Sequence, residues 1–285
     1  MAFSNNQILS FCLYPLTFDL QLFSGICMKI LFIGDIVGKA GRKAIEGVLE
    51  EVAAEHEVDF IIANGENAAG GMGLTPPIAL EILGGGVDVI TSGNHIWAKK
   101  EIIPFLEEEN RVLRPANYPA GVPGRGAGIF RTGNGKKIGV LNLEGRVFMK
   151  NLDCPFRVGE KEIERLKQET DILVIDFHAE ATSEKVAMGW FMSGKVSAVL
   201  GTHTHIQTCD EKILDGGTAY ITDVGMTGPL DSVIGIRKEV ALDRLLSQIP
   251  WKFDVATEDI ELQGVVVEVD AKTGRSKHIQ RIRVP

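Results

Sequence analysis

The residues of this 285-residue chain that could do chemistry follow apolar runs typical of buried strands. Five such runs end in side chains of one restricted set, which contains carboxylates, amides and imidazoles but no thiolates. Strand ends share one edge of an open α/β sheet, so side chains that are far apart in the sequence can converge there. The eight candidates are Asp35, Glu66, Asn67, Asn94, His95, His178, His203 and His205.

This combination of ligand types is typical of a divalent metal site. Carboxylate, amide and imidazole ligands together suit a borderline-hard ion such as manganese, iron or zinc. All of these residues except His95 are candidate ligands, too many for one tetrahedral ion, and Glu66 is the candidate to bridge two ions. Two ions ~3.5–4 Å apart activate a water and stabilise both oxygens of an in-line phosphoryl displacement. We therefore expect a two-metal centre for phosphoester chemistry.

The glycine-rich segment around Asp35, IGDIVGKAGRK, has the look of a phosphate-binding loop. A Walker A loop requires four residues between its glycines and a hydroxyl after the lysine. Only three residues separate Gly34 from Gly38, and Ala40 stands where the hydroxyl is needed. The G-x-G-x-x-G dinucleotide spacing does not fit either. Asp35 alone would be an ordinary turn or N-cap residue, but with the other strand ends it becomes a candidate ligand.

The histidines need separate interpretations, because a lone histidine is more often structural than functional. His203 and His205 are two residues apart after a buried strand, so both side chains would leave the same face if the strand continued. Asn94 and His95 would point apart in an extended chain, which suits one ligand and one proton donor. An imidazole can donate a proton near neutral pH, so His95 is the candidate general acid. His178 could instead be a satisfied core histidine.

Other polar residues keep two interpretations. The segment from Asn64 to Asn67 could form a plain turn. Glu180 and Glu184 could orient ligand imidazoles, or cap and solvate the start of a helix. His56 and His278 are expected at the surface.

The elements that must position these residues alternate between strands and helices, which predicts an α/β fold. Predicted strands are 30–33, 59–63, 87–92, 137–143, 171–176, 196–200 and 219–221, with a terminal hairpin over 264–284. Predicted helices are 43–55, 76–83, 160–167, 183–192 and 240–248. The β-rich stretches at about 111–150 and at the end of the chain indicate mixed sheets. Residues 28–285 are expected to form one compact domain.

Composition narrows the functional classes. The chain has 45% hydrophobic and 24% charged residues, which is ordinary for a globular protein with a sizeable core. Its net charge is −8, and no Lys/Arg cluster appears, so no stable nucleic-acid complex is expected. A phosphate site must then obtain positive charge locally, for example from metal ions. No apolar run approaches the ~20 residues of a membrane span, and the scattered cysteines favour a reducing compartment, the cytoplasm.

The first 27 residues differ from the rest. They hold no Lys or Arg, and Pro15 and Asp19 interrupt their apolar stretch, which makes a poor secretory signal. We expect residues 1–27 to be a disordered extension or the result of a start codon assigned too early, with the folded chain starting at Met28.

The segments that carry the eight candidate residues resemble the motifs of the calcineurin-like metallophosphoesterases. Gly93-Asn94-His95 matches that family's G-N-H block, and Gly201-Thr-His-Thr-His205 matches its G-H-x-H block with one added threonine. Two departures are Val37, in place of the histidine of D-x-H, and Gly65-Glu66-Asn67, in place of G-D-x-x-D. Both point to the YmdB-type bacterial phosphodiesterases, which act on 2′,3′-cyclic nucleotides. The blocks MKILFIGDIVGKAGR, NGENAAGGMG, SGNHIW, DFHAEATSEK, GTHTHIQT and TDVGMTG resemble that group in order over residues 28 to about 284.

The resemblance implies a sandwich of mixed sheets flanked by helices. It also implies that a hydroxide bridging two ions attacks phosphorus in line and that His95 protonates the departing oxygen, which opens a 2′,3′-cyclic nucleotide to a 3′-nucleotide. One ion would be held by Asp35, Glu66, Asn67 and His205, and the other by Glu66, Asn94, His178 and His203. Iron or manganese is expected, with zinc or magnesium open.

Two other functions stay open at this point. One is a phosphatase acting on phosphoproteins or on phosphoesters in general, which would use the same site. The other is a non-catalytic regulatory protein that senses nucleotides through its metal. The expected partner is a small phosphoester, and a homo-oligomer is left open. The sequence identifies no base-reading residues.

Overall fold

The computed structural model describes residues 27–285. The extension predicted for residues 1–27 falls, except for Cys27, outside the described residues. The first strand begins at Cys27, one residue before Met28. The structure thus covers the whole segment that was predicted to fold as one domain.

Strands and helices alternate along the described residues. The strands are β1 (Cys27–Ile33), β2 (Asp35–Ile36), β3 (Phe60–Asn64), β4 (Val89–Thr91), β5 (Ala127–Arg131), β6 (Lys137–Glu144), β7 (Leu173–His178), β8 (Ala198–Thr202), β9 (Lys212–Leu214), β10 (Thr218–Ile221), β11 (Met226–Pro229), β12 (Ile260–Asp270) and β13 (Ser276–Val284). The helices are α1 (Gly38–Glu55), α2 (Pro76–Gly84), α3 (Ile102–Glu108), α4 (Pro155–Leu166), α5 (Thr182–Met192) and α6 (Lys238–Ser247). A short 3-10 helix, Ile96–Ala98, precedes α3.

The strands form two mixed sheets. The first has the order β2-β11-β12-β1-β3-β4, with β13 also paired to β12. Its strands β1, β3 and β4 are parallel, whereas β12 runs antiparallel to β1, β11 and β13. The second sheet has the order β5-β6-β7-β8-β10-β9, in which β6, β7, β8 and β10 are parallel and the two edge strands are antiparallel.

The two sheets pack face to face through alternate side chains of their strands. Ile30 and Phe32 of β1 belong to the same buried cluster as Val140 of β6 and Val174 of β7. The intervening residues of the first sheet pack against α1 and α2, and those of the second sheet pack against α4 and α5. The result is a four-layer α/β/β/α sandwich, and it confirms the predicted class of mixed sheets flanked by helices. No helix within residues 27–285 is long and apolar enough to span a bilayer.

Element boundaries differ from the prediction mainly at helix starts. Helix α4 begins at Pro155 rather than Glu160, because the fixed φ of proline suits the first turn and needs no N–H partner there. Helix α1 begins at Gly38, which has a φ of 59°, rather than at Lys43. The short elements β2, α3 and β11 were not predicted, since segments of two to seven residues carry too little periodicity.

The close approach of Gly34 to Gly225, beside the strand that carries Asp35, can be tested by substitution. A Cβ at Gly34 would collide with the carbonyl oxygen of Gly225, the same oxygen that accepts a hydrogen bond from the Asp35 N–H at 3.1 Å. We expect Gly34→Ala to lower the free energy of unfolding by ~1–3 kcal/mol through overpacking, measured by urea denaturation. Gly47→Ala is the control: it lies in α1 with open space around its Cα and should stabilise by ~0.5–1 kcal/mol. A neutral Gly34→Ala would contradict the close approach.

Candidate metal centre

The eight residues singled out in the sequence lie in one connected cluster. Strands β3, β4, β7 and β8 are parallel within their sheets, and the cluster lies at and just beyond their carboxyl ends. The first sheet and the loops after its strands contribute the carboxylates and amides, and the second sheet contributes the three candidate ligand histidines. Each member contacts at least one other member.

Two carboxylates, those of Asp35 and Glu66, are completely buried in this cluster. The backbone N–H of His203 donates to Asp35 Oδ2 at 3.0 Å, and that of His95 donates to Glu66 Oε2 at 3.1 Å. Asp35 Oδ1 has no hydrogen-bond partner within residues 27–285; it lies 3.9 Å from His178 Nδ1 and 3.9 Å from His205 Nε2. A buried anionic oxygen without a donor is costly unless a cation compensates it.

His178 is oriented by a chain of hydrogen bonds inside the second sheet. The Thr202 hydroxyl donates to Asp176 Oδ1 at 2.7 Å, so it accepts from His178 Nδ1–H at 2.9 Å. Nε2 of His178 then faces the centre, 3.3 Å from Glu66 Oε2 and 3.0 Å from Asn94 Oδ1. His178 is therefore held in the tautomer that a metal ligand needs.

His203 and His205 face the centre for a different reason than the sequence suggested. Strand β8 ends at Thr202, and both histidines have left-handed backbones, with φ values of 100° and 65°. His203 Nε2–H contacts Glu180 Oε2 at 3.0 Å, and His205 Nδ1–H donates to the Ile234 carbonyl at 2.9 Å. These contacts leave the other ring nitrogens facing the centre. Nδ1 of His203 is at a distance of 3.1 Å from Nε2 of His178, and Nε2 of His205 is at a distance of 3.2 Å from Nδ2 of Asn67. The expected strand alternation was wrong, although both side chains reach the site.

Asn67 connects the acids to His95. Its Nδ2 donates to Glu66 Oε1 at 3.0 Å, and its Oδ1 accepts from His95 Nδ1–H at 2.8 Å. Asn64 closes the turn, since its Oδ1 accepts from the Glu66 N–H at 3.1 Å. The segment from Asn64 to Asn67 therefore forms a turn and also supplies Glu66 and Asn67 to the candidate centre. His95 has a φ of −94° and a ψ of 1°, so the chain is not extended at this residue and the condition for opposite side-chain directions is not met.

The residues present fit a metal site. Ligand atoms of Glu66, His178 and His203 lie within 4.8 Å of one another, close enough to hold one ion. The unpartnered Asp35 Oδ1 lies 3.9 Å from Nε2 of His205 and 3.9 Å from Nδ1 of His178. Three imidazoles whose second nitrogen donates to a hydroxyl, a carboxylate or a carbonyl have the usual outer contacts of metal ligands.

Burial and mutual charge set the proton affinities in the centre. Burial raises the pKa of Asp35. Burial also works against charge on Glu66, but His178 and His95 outweigh it and hold the pKa of Glu66 well below its usual range. Burial opposes protonation of His178, yet Glu66 and Asp35 raise its pKa to about 9. Burial and the neighbouring His178 lower the pKa of His203 to about 3. A bound cation would compete with a proton for His178 Nε2.

The residues that support the site from outside were not among those predicted from the sequence. Asp223 Oδ2 accepts from the N–H and the hydroxyl of Thr204 at 3.1 and 2.8 Å, and from Lys185 Nζ at 2.6 Å. Asp223 thereby fixes the residue between the two left-handed histidines. Asp223 lies in the block TDVGMTG, where an aspartate after a buried strand was the available signal. Glu184 accepts from the N–H groups of Arg146 and Val147, so it braces a loop and touches no ligand imidazole.

Comparison with known proteins gives consistent similarities. The profile of the YmdB-like protein family matches residues 31–282. The chain is 46% identical over 257 residues to the 2′,3′-cyclic-nucleotide 2′-phosphodiesterase of Bacillus subtilis (strain 168), covering 90% of this chain and 97% of that protein.

Two crystal structures resemble the fold closely. A hypothetical protein from Thermus thermophilus has a TM-score of 0.84 and 39% identity over 90% of this chain and 100% of its own. A novel phosphatase from Mycoplasma pneumoniae has a TM-score of 0.85 and 35% identity over 90% and 93% of the two chains.

The buried ion pair of Lys185 and Asp223 should matter far more than a surface pair. Both side chains are buried, so Lys185→Met leaves an uncompensated anion that costs ~3–5 kcal/mol of unfolding free energy. The control is Lys137→Met, which removes an exposed pair with Glu169 and should cost at most ~1 kcal/mol. Urea denaturation of both variants measures the difference, and equal losses would show that the buried pair does not brace the loop.

Proposed function

The chain belongs to the YmdB-like protein family, and from this membership and the geometry of the centre we propose that it is a metal-dependent phosphodiesterase that opens 2′,3′-cyclic nucleotides to 3′-nucleotides. The relative from Bacillus subtilis that carries this activity in its name is 46% identical and is matched over 97% of its length. The fold is shared with a phosphatase at a TM-score of 0.85. Both similarities support a phosphoester hydrolase.

Two ions are proposed to bind at the cluster, with Glu66 shared between them. Asp35, Glu66, Asn67 and His205 would hold one ion; Glu66, Asn94, His178 and His203 would hold the other. Within the first set Asn67 Nδ2 lies 3.2 Å from His205 Nε2, and within the second Asn94 Oδ1 lies 3.0 Å from His178 Nε2. The division itself follows the family resemblance. When bound, such ions supply charge that stabilises phosphoryl oxygens and lower the pKa of a water. A ligand set of imidazole, carboxylate and amide favours iron or manganese, with zinc or magnesium as alternatives.

His95 is proposed as the general acid. Its Nδ1–H is held by Asn67 Oδ1 at 2.8 Å, which leaves Nε2 as the nitrogen that can deliver a proton. Its side chain is 30% exposed, so the ring is open to a substrate on one side. As a water oxygen bonds to phosphorus and the bond to the 2′-oxygen breaks, His95 would protonate that departing oxygen. The 3′-phosphate ester stays intact, and the product is a 3′-nucleotide.

The observation that carries this proposal is the orientation of three imidazoles toward two buried carboxylates. A structural histidine in the core needs a hydrogen-bond partner for only one ring nitrogen. Structural packing alone would not require the second ring nitrogens of His178, His203 and His205 to converge on one centre. The net charge of −8 and the two buried carboxylates at the centre favour bound cations, because both would otherwise repel an anionic substrate.

The contact between Glu180 and His203 generates a prediction about metal affinity. Glu180→Gln keeps the shape but weakens the charge-assisted hydrogen bond to His203 Nε2–H. We expect a ~10–100-fold lower metal affinity, the usual effect of removing an outer partner of a ligand imidazole. Titration of the metal-free protein with Mn²⁺, followed by calorimetry, measures it. Glu164→Gln, at an exposed position of α4, is the control. Unchanged affinity in Glu180→Gln would argue against His203 as a ligand.

His95→Ala tests the enzyme itself. Loss of the general acid should lower kcat for 2′,3′-cyclic nucleotides by ~10²–10⁴-fold, while metal content measured by atomic emission stays that of the wild type. His278→Ala, at an exposed position of β13, is the control and should keep full activity.

The substrate panel should include cyclic nucleotides, phosphomonoesters and a phosphopeptide. Full turnover by His95→Ala would remove this residue from the mechanism. Wild-type protein that hydrolyses only monoesters would favour the phosphatase alternative, and metal-loaded protein with no hydrolysis at all would favour the regulatory one.

A further inference from the structure

A cavity of about 360 Å³ opens directly beside the candidate metal centre. Asn67, His95 and His205 form one end of it, and side chains from the segment after β11 form most of the rest. Its volume lies in the ~300–1,000 Å³ range of small-molecule sites. A substrate whose phosphorus lies at the centre therefore has this space next to it.

The walls of the cavity are apolar. Val37 lines it at the position where the calcineurin-like pattern has a histidine, so an aliphatic wall replaces an imidazole there. Ile236 and Phe253 continue this wall. Phe253 leaves 42% of its surface exposed, so its ring is available to a ligand. A flat ring with apolar faces would bury apolar surface against these walls.

The rim of the cavity carries polar groups suited to the edge of such a ring. Arg244 and Gln248 lie one helical turn apart at the end of α6 and both line the cavity. The Arg244 guanidinium lies 4.3 Å from the centroid of the Phe253 ring, a cation–π geometry that fixes both side chains. A guanidinium offers several N–H donors, and the amide oxygen of glutamine can accept a hydrogen bond.

The cavity is built into the fold rather than left by a loose segment. Gln248 ends α6 with a left-handed φ of 59°, after which the chain returns along the helix. The Arg237 N–H donates to the Asp254 carbonyl at 2.9 Å, and Ile236 forms a β-bridge with Val255. These bonds hold Phe253 at the cavity wall, as expected for a preformed ligand site.

We propose that this cavity binds the nucleobase of the substrate, with Phe253 stacking on the ring and Arg244 and Gln248 contacting its polar edge; the inference rests on the function proposed above. Apolar faces and a polar edge within one molecule are the chemistry of a nucleobase, and its ribose phosphate would reach the centre past His95. A second copy of the chain is the competing occupant, because the neighbouring Leu246 and Trp251 are also exposed.

The test compares two substrates of the metal-loaded protein. One is adenosine 2′,3′-cyclic phosphate, and the other is methyl ribofuranoside 2′,3′-cyclic phosphate, which has no base. We expect kcat/KM to favour the base-bearing substrate, and Phe253→Ala to reduce this preference by about 5- to 150-fold, the range for loss of one aromatic stack. The matched control is Trp251→Ala, an exposed aromatic two residues away that does not line the cavity; it should keep the wild-type preference.

Binding is measured in parallel by calorimetry with adenosine 3′-monophosphate and ribose 3-phosphate, so the inference can be judged without turnover. Tighter binding of the nucleotide that is lost in Phe253→Ala supports the base site. Equal binding of the two ligands overturns it, even if no cyclic phosphate is hydrolysed and the proposed function fails.

Hydrolysis of both cyclic phosphates with equal kcat/KM keeps the proposed function and overturns the base site. A Phe253→Ala variant that changes the oligomeric state in sedimentation equilibrium, with the substrate preference intact, identifies the cavity as a contact between copies and also overturns it.

Discussion

Two fully buried carboxylates, Asp35 and Glu66, impose the constraint around which the site is arranged. Like charges held out of water are costly unless donors or cations compensate them. The chain supplies backbone N–H groups from His203 and His95 and turns imidazole nitrogens toward both acids. One Asp35 oxygen still lacks a partner within the described residues. Bound cations would complete the compensation and give an acidic protein the positive charge that an anionic substrate requires.

The two sheets of the sandwich contribute different residues to the centre. The acids, the amides and His95 lie in or after strands of the first sheet, whereas the three candidate ligand imidazoles lie at the end of β7 or after β8 of the second. The core between the sheets sets the separation of the two halves, and ions bound between them would join the sheets at this edge. The outer contacts of His178 are internal to the second sheet, because Thr202 and Asp176 lie in its strands, whereas His205 donates to the Ile234 carbonyl beyond β11. Asp223, held by Lys185, fixes the loop between His203 and His205.

The cavity beside the centre depends on a part of the chain outside the central strands. Helix α6 and the returning segment that carries Phe253 close one side of the site, and Val37 closes another. Val37 stands where the calcineurin-like pattern has a histidine, and it lines the cavity. Asn67 contacts both His205 and His95 beside it. Under the proposed function, the residues after β2 and β3 would link phosphoester hydrolysis to substrate selection.

The sequence was enough to predict the α/β class, the main strands and the eight candidate site residues, because strand burial and ligand type are properties of short segments. It located α4 five residues late and omitted β2 and β11, since helix starts and two- to four-residue strands depend on distant partners. It predicted convergence of His203 and His205 for the wrong reason, because their left-handed backbones are stabilised by contacts to Asp223 and Ile234. Which nitrogen of each imidazole faces the centre depends on folding, because the hydrogen-bond partners that orient the rings lie up to 29 residues away in the chain.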